Sequence, residues 1–496
     1  APAGSDVRVV GWRHLGADPN GLHGRYKHER VADRDVPGSP RKKGPDPLPK
    51  PTEVYDADLG GGVSCHVPLA LFADAKGTIP KASAKPRLPV KPTDFPPTGD
   101  DRATRLACVC LAWGVFQHFY PYFEETKADW PTALTEALTA AATDPDAAAF
   151  NLTLRRLIAR LEDSHGSVRP GSGAPRYDGA LPLSWDVVES KLAVTWVDPA
   201  AKNRVKVGDV VEAIDGVAAR ERVKAASRVA SGATPEHRRY RTCADLRIGP
   251  AGQPVKLDFR TPKGEAYSLT IERRLADDSP LRGPSMREPG TEAFARVAPG
   301  VVYLDLDRLR DEKFHAALAE ARKAEGVVFD VRGYPLAYLT WLRLLADKPL
   351  IEDQYGDVLN PLPDRRGMRI EPAKNPPFPP QAVWRAKIAF VTDGRAVSYA
   401  ETFLAVVENT KLGTIVGEPT AGSNGGIALY VLPDGTRVSW TGQKVVRADG
   451  SRLHGVGIRP AVPVRRTLKG LAEGRDEALE RAIELVRPAG KPEKKG

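Results

Sequence analysis

Three apolar runs in the last third of the chain, Gly300-Val-Val-Tyr-Leu-Asp-Leu, Gly326-Val-Val-Phe-Asp-Val and Lys387-Ile-Ala-Phe-Val, are each followed by a helical pattern. Short runs rich in β-branched residues that alternate with helices specify an α/β layer architecture, because the helices must cover the strands. Gly413-Thr-Ile-Val-Gly, Ile427-Ala-Leu-Tyr-Val-Leu and Arg437-Val-Ser-Trp then run close together as further strands, and Leu471 to Val486 reads as a closing helix. At 496 residues the chain has room for two to four domains with substantial cores.

The rest of the chain divides by composition. Residues 1–98 read as a β-rich module with Pro/Lys-rich connectors at Pro37 to Pro51 and Ile79 to Pro97, the latter extended rather than helical. Residues 99–175 read as a helical subdomain, in which Phe150, Leu152, Leu154, Leu157, Ile158 and Leu161 give an apolar face. Residues 176–278 carry alternating strand patterns, and Asn203-Arg-Val-Lys-Val-Gly-Asp-Val-Val-Glu-Ala-Ile-Asp-Gly resembles the core signature of a PDZ domain, a module that adds an extended chain to a sheet edge. The α/β core takes 279–487, and 488–496 is expected to be disordered.

Charge narrows the classes of partner. The net charge is +10, but Lys and Arg are scattered and no basic helix or aromatic-basic stripe emerges, so nucleic acid is not expected. No apolar run approaches membrane-spanning length, so no integral membrane segment is expected. The opening Ala1-Pro2-Ala3-Gly4 fits a secreted or periplasmic chain freed of its signal, and a trimmed chain equally. Cys65, Cys108, Cys110 and Cys243 are too few for a disulfide scaffold; buried thiols are expected, with one bridge through Cys65 or Cys243 left open.

Chemistry concentrates at Ile388-Ala-Phe-Val-Thr-Asp-Gly-Arg-Ala-Val-Ser398-Tyr-Ala-Glu-Thr-Phe, a buried strand, a turn, and a serine at the first turn of a helix. Such a turn exposes the hydroxyl beside unpaired N–H groups that stabilise developing negative charge; a helix-capping serine is the plain alternative. A serine nucleophile needs a base, and no lysine lies in the following two turns or in Gly417-Glu-Pro-Thr-Ala-Gly-Ser-Asn-Gly-Gly. Among nine histidines, His165 stands in a polar turn that closes a helical hairpin, where it is either a base or an ordinary loop residue. His118, among aromatics, reads as packing; His14, His23, His28 and His66 are too spread for a ligand set, so no metal and no cofactor is expected.

Asp163-Ser-His-Gly, the PDZ-like insertion, Val327-Val-Phe-Asp-Val-Arg-Gly, Ser398-Tyr-Ala-Glu, Gly417-Glu-Pro-Thr-Ala-Gly and His454-Gly-Val-Gly-Ile-Arg-Pro occur in that order. Over residues 100–465 the chain resembles the tail-specific (C-terminal processing) serine peptidases, in their tricorn-like branch. The resemblance implies a crotonase-like β/α catalytic core and serine-dependent cleavage of polypeptides, unfolded or with accessible C-termini. It implies Ser398 as nucleophile, His165 as general base, Ser164 as the residue that orients the imidazole, and the N–H groups of Tyr399 and Gly333 as oxyanion donors.

Three departures from the family pattern stand out. Ser423 occupies the place of the lysine in Ser-Lys members, so that dyad is excluded there. His454 stands where tricorn-like members carry a Glu; it is either a partner of Ser164 or a turn residue, and Glu401 or Glu418 are the other candidates for a fourth residue. Tyr334-Pro335 alters the loop after Arg332-Gly333. A non-peptidic acyl hydrolase and a catalytically weak peptide-binding protein remain the rival readings.

Overall fold

The computed structural model describes residues 6–16, 28–33, 48–81, 97–173, 178–199, 204–275, 292–373, 377–381 and 384–488. Most of both Pro-rich connectors, His23, Asn203 and the tail beyond 488 lie outside the described residues.

The N-terminal residues form a four-stranded sheet and a separate hairpin, Val54–Gly60 with Val63–Pro68. Three helices follow: α1 (Arg102–Phe119), α2 (Trp130–Thr143) and α3 (Ala147–Ala159). Each is started by an aspartate, Asp101, Asp129 or Asp146, whose carboxylate accepts an N–H of the first turn. Their apolar faces converge on Phe116, Trp130 and Phe150, which pack against Trp440 from the C-terminal third. Beyond α3, Ser167–Arg169 pairs antiparallel with Arg437–Thr441. This pairing pulls the turn at His165 onto the α/β core.

A β-rich unit comes next, its sheet ordered Ala266–Glu272, Pro254–Arg260, Val210–Ile214, Lys191–Val197, Leu183–Val188. It also contains α4 (Ala219–Ser227) and α5 (Pro235–Arg247), which the strand-centred sequence reading passes over. Both are so rich in charged residues, arginine above all, that hydrophobic periodicity is weak, while Thr234 as cap and Pro235 at the first turn are the signals that start α5.

The core is a six-stranded sheet in the order Phe294–Ala298, Val301–Asp305, Gly326–Asp330, Lys387–Thr392, Thr414–Gly417, Val462–Pro463. The first pair is antiparallel and the other four are parallel. Every residue of Val301–Asp305 and Gly326–Asp330 is buried, as parallel strands covered on both faces require. One face packs under α6 (Asp311–Ala321) and α7 (Tyr399–Thr410), with Phe329, Phe390 and Phe403 in contact. The closing helix is two pieces, α8 (Leu468–Ala472) and α9 (Glu477–Val486); Gly474, at φ +67°, ends the first and Asp476 caps the second. Leu479, Ala482 and Val486 of α9 cover the opposite face of the sheet.

All four cysteines are free thiols, so the bridge left open for Cys65 or Cys243 is absent. Cys110 is exposed and Cys65 half-exposed, which corrects the expectation of buried thiols for those two. Among the described residues no helix is long and apolar enough to cross a membrane.

Candidate active site

Lys387–Thr392 ends in the turn Asp393-Gly-Arg-Ala-Val, and Ser398 follows immediately before α7. The turn is rigid. Arg395 lies on Asp393 at 2.6 Å, and the pair holds the Asp393 carboxyl near 2 against the opposing effect of burial. His237 of α5 donates from Nδ1 to the Gly394 carbonyl at 2.7 Å, and a Cβ on Gly394 would meet the Glu236 backbone at 2.6 Å. Burial lowers His237 to about 3, so this contact is made by a neutral imidazole.

Ser398 itself has φ +58° and ψ −114°, a conformation that L-residues rarely adopt. Its hydroxyl makes no capping hydrogen bond to α7, which removes the helix-cap alternative. A serine held in a strained backbone and not used as a cap is the pattern of a functional site.

His165 is 8% exposed, and its Nδ1 lies 2.8 Å from Thr441 Oγ1. The Thr441 hydroxyl donates to Asp163 Oδ1 at 2.7 Å, so its oxygen receives the Nδ1 proton and the imidazole keeps Nε2 bare. Asp163 is fully buried; it also accepts the N–H of His165 at 3.0 Å and of Thr441 at 2.6 Å. Burial lowers the His165 pKa from 6.5; Asp163 works against that shift and Arg241 adds to it. His165 is therefore neutral at physiological pH.

Ser423 connects the two halves of the site. Its carbonyl accepts the Ser398 N–H at 3.1 Å and its hydroxyl accepts the Ser164 N–H at 2.9 Å. Nε2 of His165 is buried with no hydrogen-bond partner, so it is not bonded to the Ser398 hydroxyl in this conformation. Catalytic hydrogen bonds commonly tighten only when substrate binds.

Ser164, expected at the imidazole, and His454, expected either on Ser164 or as a turn residue, make other contacts. The Ser164 hydroxyl donates to the Ala421 carbonyl at 2.8 Å and accepts the Ala233 N–H at 3.0 Å, so it braces the 420–423 loop instead of the ring. His454 does not touch Ser164: its Nε2 lies 3.1 Å from Tyr120 Oη, and its ring stacks on Tyr122 with centroids 3.9 Å apart. Burial lowers it to about 4, which leaves it a neutral packing group. The fixed negative charge that His454 cannot supply comes from Asp163.

Glu401 and Glu418 are also accounted for. Glu401 accepts from Thr420 Oγ1 and from the N–H groups of Gly422 and Ser423 at 2.6–2.9 Å, and burial raises it to about 7. It braces the loop under Ser423. Glu418 is held bidentately by Arg239 of α5, at 2.6 and 3.3 Å.

Gly333 follows the neighbouring parallel strand and has φ +134°; a Cβ there would strike Asp307 Oδ2 at 2.7 Å. The Tyr399 hydroxyl accepts the Leu339 N–H at 2.6 Å and donates to the Ala337 carbonyl at 3.2 Å, fastening the 333–339 loop to the start of α7. Among the described residues, the N–H groups of Tyr399 and Gly333 have no acceptor. Both belong to turns that leave adjacent parallel strands at their C-terminal ends.

Asp163 and Thr441 are the functional residues that sequence reasoning missed. Asp163 carried a signal, a carboxylate two positions before the histidine; Thr441 carried none, since 276 residues separate it from His165. His118 bridges the Gly114 and Pro363 carbonyls as a packing residue. No group of three described His, Cys, Asp or Glu residues is placed to hold a metal ion.

Comparison with known proteins gives a family match for part of the chain and likenesses of fold. Residues 300–464 match the model of peptidase family S41. The structure of mature CPAF complexed with lactacystin aligns with TM-score 0.63 and 15% identity, over 78% of this chain and 98% of that one. A mutant of the same protein aligns with TM-score 0.61 and 14% identity, over 79% and 99% of the two chains. These likenesses concern the fold. No curated protein matches by sequence.

Proposed function

From the premise that residues 300–464 are a peptidase family S41 domain, and that the chain is a serine-type peptidase of the tail-specific kind, we propose that it cleaves polypeptides through an acyl-enzyme on Ser398, with His165 as general base. The observation that carries this reading is the relay Asp163–Thr441–His165, which leaves Nε2 bare on a neutral, buried imidazole. In the attack step Nε2 takes the Ser398 proton as Oγ adds to the scissile carbonyl. The imidazolium that forms is stabilised by the buried Asp163 carboxylate through the Thr441 hydroxyl. The carbonyl oxygen becomes an oxyanion, for which the free N–H groups of Tyr399 and Gly333 are the donors; one such donor contributes about 3 kcal/mol.

Collapse breaks the C–N bond, and the proton on Nε2 passes to the leaving amine. Water, deprotonated by the same nitrogen, then attacks the acyl-serine; the C–Oγ bond breaks, Oγ takes the proton back from Nε2, and a carboxylate is released. Ser164 and Ser423 act as positioning residues that fix the spacing of the two loops. The β-rich unit, which carries the PDZ-like string ending Val210-Val-Glu-Ala-Ile-Asp-Gly, is read as the element that takes up the extended substrate chain. The secreted or periplasmic location belongs to the same proposal and is checked by cell fractionation.

The test is degradation of an unfolded polypeptide by the wild-type protein and by Ser398→Ala, with mass spectrometry of the products. Serine-dependent peptides are expected. Equal cleavage by both proteins, or cleavage by neither across pH 6–9, defeats the proposal.

A further inference from the structure

Behind the His165 turn, α2, α3 and the segment joining α4 to α5 line a half-open cavity of about 440 Å³. That size suits a small organic molecule. Its composition is one-sided. Five cations line it, and the two carboxylates present are already engaged: Glu136 with Arg160 at 2.6 Å, and Glu162 with Arg238 at 3.6 Å. Lys127, Arg156 and Arg228 have no ion-pair partner among the described residues. Between these cations the wall is apolar, formed by Ala137 and Ala140 of α2 and by Leu157 of α3. Thr153, also in the wall, is 2% exposed, and its Oγ1 has no hydrogen-bond partner.

Surplus positive charge around a small apolar recess discriminates among ligands. An inorganic anion would satisfy the cations and leave the recess wet. A neutral apolar molecule would fill the recess and leave the cations as they are. A carboxylate on a short aliphatic body answers both, and the buried Thr153 hydroxyl is a further donor. We propose that this cavity is a binding site for a small aliphatic carboxylate, bridging the helical subdomain and the β-rich unit. The site is one hydrogen bond from the catalytic turn: Ser231, next to Ala230 of the cavity wall, donates to the Asp163 carbonyl at 2.6 Å. An occupant therefore braces the loop that carries Asp163 and His165.

The test is calorimetric titration of Ser398→Ala protein with hexanoate at low ionic strength, so that binding is read without turnover and independently of the peptidase assignment. Saturable binding is expected, weakened about tenfold by Arg156→Gln and by Arg228→Gln, since a charge-assisted hydrogen bond contributes on that scale. Both arginines are exposed, so neither variant endangers folding. Ala140→Leu fills the recess and is expected to weaken hexanoate as well. Hexanamide is expected not to bind. Absence of saturable hexanoate binding overturns the proposal, as does equal affinity in the Arg156→Gln/Arg228→Gln double variant. Tighter binding of inorganic phosphate than of hexanoate overturns the apolar half of it.

Discussion

Among the described residues, aspartate, histidine and a hydroxyl residue meet twice, and only one meeting has the surroundings that the proposed chemistry needs. On the N-terminal hairpin, Asp56 and His66 face each other across two strands and are hydrogen-bonded, and Ser64 Oγ lies 3.3 Å from His66 Nε2. By connectivity this is a complete catalytic triad. At the core, Asp163, Thr441 and His165 are joined, but the proposed nucleophile, Ser398, is not bonded to the imidazole. Burial and preorganisation separate the two. The side chains of His66 and Asp56 are 68% and 65% exposed, whereas Asp163 is fully buried and His165 nearly so.

In water two charges 4 Å apart interact by about 1 kcal/mol, against about 4 kcal/mol at the effective dielectric of a protein. The hairpin also lacks a helix N-terminus and a strained serine. Oxyanion stabilisation is usually the largest single term in acyl transfer. Three residues in line are therefore not a site; a charged group that water cannot screen, aimed at fixed donors, is.

The largest expected effect is at Ser398. Ser398→Ala is expected to lower kcat by about 10⁶-fold, the scale for loss of a serine nucleophile. Residual turnover within tenfold of wild type would move the nucleophile elsewhere, and Ser64 would be the first suspect. Next in size comes Asp163→Asn, for which a loss of about 10³-fold is expected, because the imidazolium loses its only buried carboxylate. The pH profile separates this role from simple bracing. Wild-type kcat/KM is expected to fall on acidification with a midpoint below 6.5, since burial lowers His165. Asp163 raises that pKa, so removing it moves the acid limb further down. An acid limb that stays in place in Asp163→Asn would reduce Asp163 to a structural residue.

How much of this was readable in the sequence depends on range. The strand-turn-helix around Ser398 and the alternating strands of the core were legible because the signals, apolar runs and turn residues, are local. His165 was legible as a polar turn closing a helical hairpin. Thr441 was not, because its role arises from the pairing of Ser167–Arg169 with Arg437–Thr441, a register that no local pattern announces. Ser164 was expected at the imidazole, and His454 either on Ser164 or as a turn residue, on the strength of their motifs. The motif gives neighbours in sequence; the packing of Tyr120 and Tyr122 decides where His454 points. Helices α4 and α5 were passed over because charge obscures their periodicity, yet α5 supplies the His237 contact that holds the turn before Ser398.

Thr441 offers a finer test of the buried relay. Thr441→Val removes the hydroxyl that links Asp163 to His165 while keeping the shape, and a loss of about 10- to 100-fold is expected, the effect of one buried hydrogen bond to a charged partner. Thr441→Ser keeps the hydroxyl and is expected to restore most of the rate. Equal losses in both variants would assign Thr441 to packing. Smaller again is the effect of acid on stability. His237 and His454 are lowered to about 3 and about 4, so the native state binds fewer protons than the unfolded chain below pH 6.5. Their contribution is complete above pH 6.5 and is lost as the pH falls towards those values. Glu401, raised to about 7, pulls the other way, so the readout is the difference between proteins. The drop in Tm between pH 7 and pH 4.5 is expected to be smaller in His237→Gln than in wild type. An equal drop in both contradicts the assignment of His237 as a buried neutral group.

The smallest expected effect is the control that gives the comparison its force. Ser64→Ala and His66→Ala are expected to leave kcat unchanged and stability within about 0.5 kcal/mol, as for surface positions without special packing. The exposed His66–Asp56 pair carries little energy, because water competes for both groups and ordering the side chains costs entropy. Activity loss in Ser64→Ala at unchanged Tm would mean that an exposed triad on a two-stranded hairpin performs chemistry without a closed site. In that event burial would lose its standing as the criterion that separates the two regions, and the free N–H groups of Tyr399 and Gly333 would need another purpose.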